Sequence, residues 1–483
     1  MQNRLVNPIR IDYHWPLLFL IYFSLQIVLR TVIGRGLGID EAQLMLTAQT
    51  LEWGYGAQPP LYSWLQHGVF SLFGETIFAL SLLKNSLLCL TYLTLFRTLC
   101  DYYDKELAGL ATLSLLLLPQ IGWESQRALS HSVLATAMAS VTLFLFSRLV
   151  ATRQPRFYVL FGAVVALGAL SKFNYVVLPI AMLMAAISLQ STRRAIFNPK
   201  ILLSLLTMVI LLFMPVQWMI AHSDSVLESV HKFDIQSNAA RLKTALTGVF
   251  SLTEAGLLFL APLIMVLLLL YLRYQTKIGT AYRDVPFLQF LLRTIKLALI
   301  LILMMILWSG TTTIKDRWLQ PVLFLAAPAM TLWLLPRLSA IGHRRFLQIA
   351  GIAALAIFIA QPIHDLKPSR RSTPFPTIVA LMAEKYPEIT TVLAKDKWLG
   401  GNLYYVNKGW TVTIPGRNPD VLTGEVVIVW PSRWAAIPRN ITSYLAAQHK
   451  KIISVDPVTT VKIPFSKQSE KQFTINFTAA RLN

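Results

Sequence analysis

The sequence predicts an α-helical polytopic membrane protein that carries a small α/β domain at its C-terminal end. Three observations carry this reading. Of 483 residues, 55% are hydrophobic and only 14% charged, against about a quarter charged in an ordinary soluble domain. The apolar residues are gathered in runs such as 15–33 and 201–221, long enough to cross a hydrocarbon core of about 30 Å. After Gln361 the pattern gives way to a charged, proline-rich segment, HDLKPSRRSTPFP, and then to short strand-like and helical stretches.

In chain order the runs predict about eleven spans, at 15–33, 77–99, 106–121, 129–149, 157–170, 174–190, 201–221, 256–273, 293–309, 319–335 and 346–361. Lipid offers no partners for backbone polar groups, so each must be helical. The first follows a basic start, Arg4 and Arg10, without a small-residue cleavage site, and reads as a retained span. The fifth and sixth meet at Ser171-Lys172-Phe173-Asn174 and are short enough to form one bent hairpin. Two loops, 34–76 and 222–255, are long and contain helix-period patterns too short or too polar to span. In the first, Leu44, Met45, Ala48 and Leu51 make one apolar face, and Leu61, Trp64, Leu65, Val69 and Leu72 another. These are expected to lie in the membrane interface, with Trp53, Tyr55, Tyr62 and Trp64 at headgroup depth. Residues 1–361 would form the membrane region and 362–483 an extracytoplasmic α/β domain. Its strands are expected at Thr391–Ala394, Val426–Trp430 and Ile452–Val455, and its helices at Ile378–Lys385 and Ile437–Gln448. No internal repeat is evident.

The net charge of +21 invites a nucleic-acid partner, but its distribution reports topology instead. Arg4, Arg10, Arg97, Lys105, Arg148, Arg153, Arg156, Arg193, Arg194, Lys200, Arg273, Lys277, Arg283, Arg293, Lys296, Arg337, Arg344 and Arg345 fall on one set of inter-span segments, and only Arg35, Arg127, Lys172, Lys232, Arg241, Lys243, Lys315 and Arg317 on the other. By the positive-inside rule the N-terminus is cytoplasmic and, with an odd span count, the C-terminal domain is outside, where its basic residues suit anionic lipid surfaces. Cys89 and Cys100 fall on one expected helix, about 16 Å apart at 1.5 Å per residue, too far for a disulfide.

The chemistry-bearing stretch is GIDEAQLMLTAQTLEWGYGAQPPLYSWLQ, residues 38–66. Asp40 and Glu41 lie just beyond the first span, at a watery edge where carboxylates can stay charged. Asp40 with Gln43 makes a plausible capping box for the helix that follows. Catalysis is equally open to Asp40, and compatible with capping, because a cap fixes its carboxylate. Pro59-Pro60 suits the start of a second helix. Lys172, Lys315, Arg317 and Arg127 fall near span ends on the outer side; each suits either lipid headgroups or a phosphate. His222, Asp224 and Glu228 open the second loop as weaker candidates.

These residues resemble the polyprenyl-phosphate-sugar-dependent glycosyltransferases of the GT-C superfamily. The subset is glycosyltransferase family 39, grouped with protein O-mannosyltransferases and with enzymes that add aminoarabinose or galacturonic acid to lipopolysaccharide. The resemblance rests on Asp40-Glu41 after the first span, Trp53-Gly54-Tyr55, Pro59-Pro60-Leu61, Trp64-Leu65, Ser171-Lys172 at a helix junction and Lys315-Asp316-Arg317-Trp318 before a late span. It implies an inverting transferase in a bacterial inner membrane. The enzyme would move a monosaccharide from a polyprenyl-phosphate donor to lipid A, lipopolysaccharide core or another envelope glycan. Asp40 would be the catalytic carboxylate with Glu41 beside it. Lys172, Lys315, Arg317, Arg127, Tyr55 and Gln58 would bind substrate and phosphate. The chain departs from the family pattern at Ala57-Gln58 and in the segment Trp123–His131, where Glu124 and His131 are secondary candidates. A divalent metal is possible, although Asp40, Glu41, Glu124 and His131 make no recognisable ligand signature. The partners implied are the lipid donor, a lipid or glycan acceptor and membrane lipids, not nucleic acid. A lipid or glycolipid transporter is the alternative of another class, and an inactive scaffold built on the same fold is a third.

Overall fold

The computed structural model describes residues 14–224, 241–276, 285–388, 390–417, 419–431, 435–465 and 470–483. Expectations resting on Arg4, Arg10, Glu228, Lys232, Lys277 and Arg283 lie outside these residues. Among the described residues seven helices are long and apolar enough to cross a membrane, beginning with α1 (Trp15–Ile33) and ending with Ala340–Leu366. Three bent helix pairs and the shorter Pro155–Ala169 helix lie where the remaining spans were expected, so the described residues give seven to ten spans by length and composition.

The bends have local causes. The span expected at 106–121 turns by 77° between Lys105–Leu117 and Gln120–Arg127. Leu118 precedes Pro119 and takes φ −90°, ψ 114°, the extended conformation that a following proline imposes. Leu189 is likewise extended, and the chain turns by 116° into the short basic helix Gln190–Ile196. The late span bends by 56° between Asp316–Leu323 and Ala326–Arg337, each half containing a proline, Pro321 and Pro328. One expectation is corrected here. Residues 241–255, placed in the second loop, are helical and continuous with the following span as Arg241–Tyr274.

The described residues divide into two compact units. The first comprises 14–27, 52–62 and the described part of 82–358. Small residues let its helices approach closely. A Cβ on Gly109 would strike the Trp15 ring, and one on Gly162 would strike the backbone of Ser204. Between the same two helices Ser204 Oγ donates to the Tyr158 carbonyl at 2.7 Å.

The second unit comprises 28–51, 63–81 and the described part of 359–483. Its sheet contains β1 (Thr391–Ala394), β2 (Thr411–Thr413), β3 (Gly424–Trp430), β4 (Ile452–Val455), β5 (Thr459–Pro464) and β6 (Gln472–Leu482). The order is β2-β1-β3-β6-β4, with β5 also paired to β6; β1 runs parallel to β2 and β3, and β6 antiparallel to β3, β4 and β5. Leu393, Val426, Ile428, Trp430, Ile441 and Leu445 form its core, joining the sheet to the Arg439–Ala447 helix.

The first loop contributes α2 (Ile39–Thr47) to this unit, and α3 (Leu61–Phe73) follows it in the chain. Helix α2 packs on a helix of the C-terminal segment, Lys397–Val406. That helix carries Gly400 and Gly401, which cost about 1 kcal/mol each relative to alanine in a helix interior. The packing explains one of them, because a Cβ on Gly401 would fall on the Ala42 carbonyl. Gly401→Ala is therefore expected to destabilise the protein by about 1–3 kcal/mol through overpacking, read as a lowered unfolding temperature of the detergent-solubilised chain.

Candidate functional site

Helix α2 begins at Ile39 with Gly38 as its N-cap, so the Asp40–Gln43 capping box expected from the sequence is replaced. The reciprocating acid is Glu41, whose Oε2 accepts the Gly38 N–H at 2.8 Å. Asp40 lies in the first turn, half-buried, where the helix dipole favours a negative charge.

Glu41 is only 4% exposed and lies between two arginines. Arg30, in the last turn of α1, donates from Nη2 to Oε2 at 3.0 Å and from Nε to Oε1 at 3.2 Å. Arg371, in the linker after the last long helix, donates from Nη2 to Oε1 at 3.0 Å, and its Nη1 lies 3.6 Å from Asp365 Oδ2. Two acids and two arginines thus form a buried, charge-balanced cluster. Breaking such a pair from one side costs about 3–5 kcal/mol, because the remaining charge stays buried. The backbone beside it is equally constrained. The Leu37 N–H donates to Asn402 Oδ1 at 2.8 Å, while Trp398 Nε1 and Asn402 Nδ2 both donate to the Leu37 carbonyl. Lys397 reaches Gln43.

In the same unit, Glu75 accepts from the Tyr404 hydroxyl at 3.0 Å and pairs with Lys408 at 3.4 Å. Burial first, then the hydrogen bond to Glu75 and its charge, push the Tyr404 phenol up to about 12. A pKa raised on folding favours the neutral form. This contribution to stability is therefore complete below the unfolded phenol value near 10 and fades as pH rises through about 12. Tyr404→Phe is expected to remove that part of the alkaline destabilisation, measured as unfolding temperature against pH.

The first unit holds the remaining candidates, with the late motif beside Lys172. At the end of the Pro155–Ala169 helix, the Leu170 carbonyl accepts the N–H of Leu61 at 3.0 Å. This bond ties Pro59-Pro60-Leu61 to Ser171-Lys172 and satisfies a donor in the first turn of α3. The double proline does precede that helix, as expected. Lys172 Nζ donates to Ser132 Oγ at 2.7 Å and to the Arg317 carbonyl at 3.4 Å. Asn174 bonds the Trp318 carbonyl, and Gln120 bonds the Asp316 carboxylate. The late motif Lys315-Asp316-Arg317-Trp318 is thereby held against the Ser171-Lys172 junction. Lys315 and Arg317 are exposed, with Lys315 Nζ 5.9 Å from the centre of the Trp318 ring.

Three candidates have other partners. Arg127 and Glu124 pair with each other at 2.8 Å, and His131 packs against Tyr62 with ring centres 5.4 Å apart. Tyr55 and Gln58 are bridged across the turn at Gly56, whose φ is +73°. The Tyr55 hydroxyl accepts the Glu52 N–H at 3.0 Å. Gly54 has a steric reason, since a Cβ there would enter the Trp218 ring. His222 stacks on Trp218, with ring centres 4.3 Å apart.

Among the described residues no three His, Cys, Asp or Glu side chains gather as a metal site. Glu41 is held by arginines and Glu124 by Arg127.

Sequence reasoning missed Arg30, Arg371, Asn402, Ser132, Asn174 and Gln120. Arg30 carried a signal, being a charge inside an otherwise apolar run. The others make contacts whose partners are far away in the chain.

Residues 57–219 match the family model described as dolichyl-phosphate-mannose-protein mannosyltransferase. Over 465 residues the chain is 31% identical to the lipopolysaccharide core galacturonosyltransferase RgtB of Rhizobium johnstonii, covering 91% of this chain and 92% of that one. It is 27% identical to the lipopolysaccharide core galacturonosyltransferase RgtA of the same organism, covering 93% of each. Among solved structures, ArnT from Cupriavidus metallidurans bound to undecaprenyl phosphate superposes with a TM-score of 0.62 at 14% identity, covering 96% of this chain and 98% of that one. At that identity the likeness concerns the fold.

Proposed function

The chain belongs to the GT-C superfamily of polyprenyl-phosphate-sugar-dependent glycosyltransferases, and from that membership we propose that it transfers galacturonic acid from a polyprenyl-phosphate donor to lipopolysaccharide core. The observation that carries the donor sugar and the acceptor is the 31% identity, over nine-tenths of both chains, to a relative named for that activity. The reaction takes place on the outer face of a bacterial inner membrane, with the N-terminus in the cytoplasm.

The roles follow from the chemistry. Asp40 takes the proton of the acceptor hydroxyl as that oxygen attacks the anomeric carbon. The bond from that carbon to the phosphate oxygen breaks, and the polyprenyl phosphate leaves with the electron pair, inverting the anomeric configuration. A phosphate leaving group needs no acid to protonate it; it needs cations where its charge grows. Lys172, Lys315 and Arg317 supply them, and the hydrogen bonds that hold Lys172 beside the Arg317 backbone support this assignment.

The test is a transfer assay with purified full-length protein, polyprenyl-phosphate galacturonic acid and lipopolysaccharide core. Expected is a glycosylated core of inverted anomeric configuration together with free polyprenyl phosphate. Donor crossing a vesicle bilayer without any glycosylated product would overturn the reading in favour of a transporter. Transfer of a different sugar in preference would overturn the donor.

A further inference from the structure

Glu41 stands next to the proposed base, yet its surroundings are those of an anchor. Its two oxygens receive Arg30, Arg371 and the Gly38 N–H. Arg371 grips the same segment by its backbone, because its carbonyl accepts the Gly36 N–H at 2.8 Å. Gly36 is the residue that lets it approach. A Cβ on Gly36 would lie 3.0 Å from the Arg371 carbonyl oxygen, and one on Gly38 would lie 3.6 Å from Arg371 Nε. Arg371 thus spans the stretch from Gly36 to Glu41, which contains Asp40. A cavity of about 470 Å³, lined among others by Gly36, Arg371, Asn402 and Tyr405, lies against it, within the size range of small-molecule sites.

We propose that Arg371 is a positioning residue for transfer. By holding Glu41, its guanidinium fixes the first turn of α2 and so the direction of the Asp40 carboxylate. The linker that carries Arg371 is then part of the catalytic apparatus without touching substrate. This inference rests on Asp40 being the base. It gives Glu41 a task distinct from proton transfer, and it explains why the acid pair is asymmetric, one carboxylate half-buried and the other enclosed. The cavity adds a consequence: a guanidinium ion is small enough to enter it and take the place of a missing Arg371 side chain.

The experiment uses the detergent-solubilised full chain in the transfer assay, comparing wild type, Arg371→Ala, Arg371→Lys, Glu41→Gln and Asp40→Asn. Displacing a catalytic group by about 1 Å costs up to about 100-fold in rate. Arg371→Ala is accordingly expected to lower kcat by about 10- to 100-fold while the KM for the donor stays unchanged. Methylguanidinium should restore part of the lost rate without stimulating wild type, and Arg371→Lys should fall between the two. A wild-type kcat in Arg371→Ala would overturn the proposal. So would a folded Arg371→Ala that methylguanidinium does not rescue, or one whose loss lies wholly in KM. Should Arg371→Ala not fold, the pair Arg371→Lys and Glu41→Gln decides: the double variant is expected to be no slower than the slower single one, and additive losses would overturn the proposal. Asp40→Asn separates the two ideas. Full activity there would remove the base, whereas an inactive Asp40→Asn beside a fully active Arg371→Ala would remove only the positioning role.

Discussion

Replacing Asp40 by asparagine is expected to lower kcat by about 10²- to 10⁴-fold, the range contributed by a positioned general base, and to leave the KM for the lipid donor nearly unchanged. Asparagine keeps the size of the side chain and its place in the first turn of α2, so the packing of that helix on Lys397–Val406 is preserved. What is lost is the ability to accept the hydroxyl proton. Initial rates at saturating donor, with the unfolding temperature measured in parallel, check both halves of the statement. Equal rates for wild type and variant would take Asp40 out of the mechanism, and with it the interpretation of the neighbouring arginine cluster.

Lys172→Met carries the second large effect. Methionine keeps an unbranched apolar stem and removes the ammonium that donates to Ser132 Oγ and to the Arg317 carbonyl. If Lys172 stabilises the departing phosphate, transfer should fall by about 10²- to 10³-fold, the loss seen when a donor aimed at developing negative charge is deleted. Ser132→Ala is the control, because it deletes the hydroxyl partner and leaves the ammonium in place. A loss confined to Lys172→Met points to the charge. Equal losses in both variants would show that the hydrogen bond holding the late motif is what matters. A measured kcat for each, with polyprenyl phosphate tested as a product inhibitor, distinguishes the cases.

The spans were readable because long apolar runs admit only helices in lipid. What the runs did not show is where helices bend, which depends on single residues such as Leu118 before Pro119. Strands β1, β3 and β4 followed from short apolar stretches. Strand β6 was missed although Gln472–Thr478 alternates polar and apolar residues at the strand period. The Lys397–Val406 helix was hidden for a physical reason, since paired glycines read as a break until the Ala42 carbonyl that Gly401 approaches is known. The same holds within the acid pair. Asp40 and Glu41 look alike in sequence, and only partners 11 and 330 residues away separate the enclosed carboxylate from its neighbour. Roles that depend on such distant contacts are invisible to spacing and periodicity.

The bonds between Leu37 and Asn402 close a separation of 365 residues, which has a consequence for how the protein is made. A ribosome adding about 5–20 residues per second delivers Asn402 roughly 20–70 s after Leu37 has emerged. For most of that interval the segment bearing Asp40 lacks Arg371, and until its end it lacks Asn402. A nascent chain can therefore place its helices in the bilayer early and still have no assembled first loop. On the proposed mechanism the loop that carries Asp40 would be complete only once Arg371, Trp398 and Asn402 have been synthesised and have folded against it.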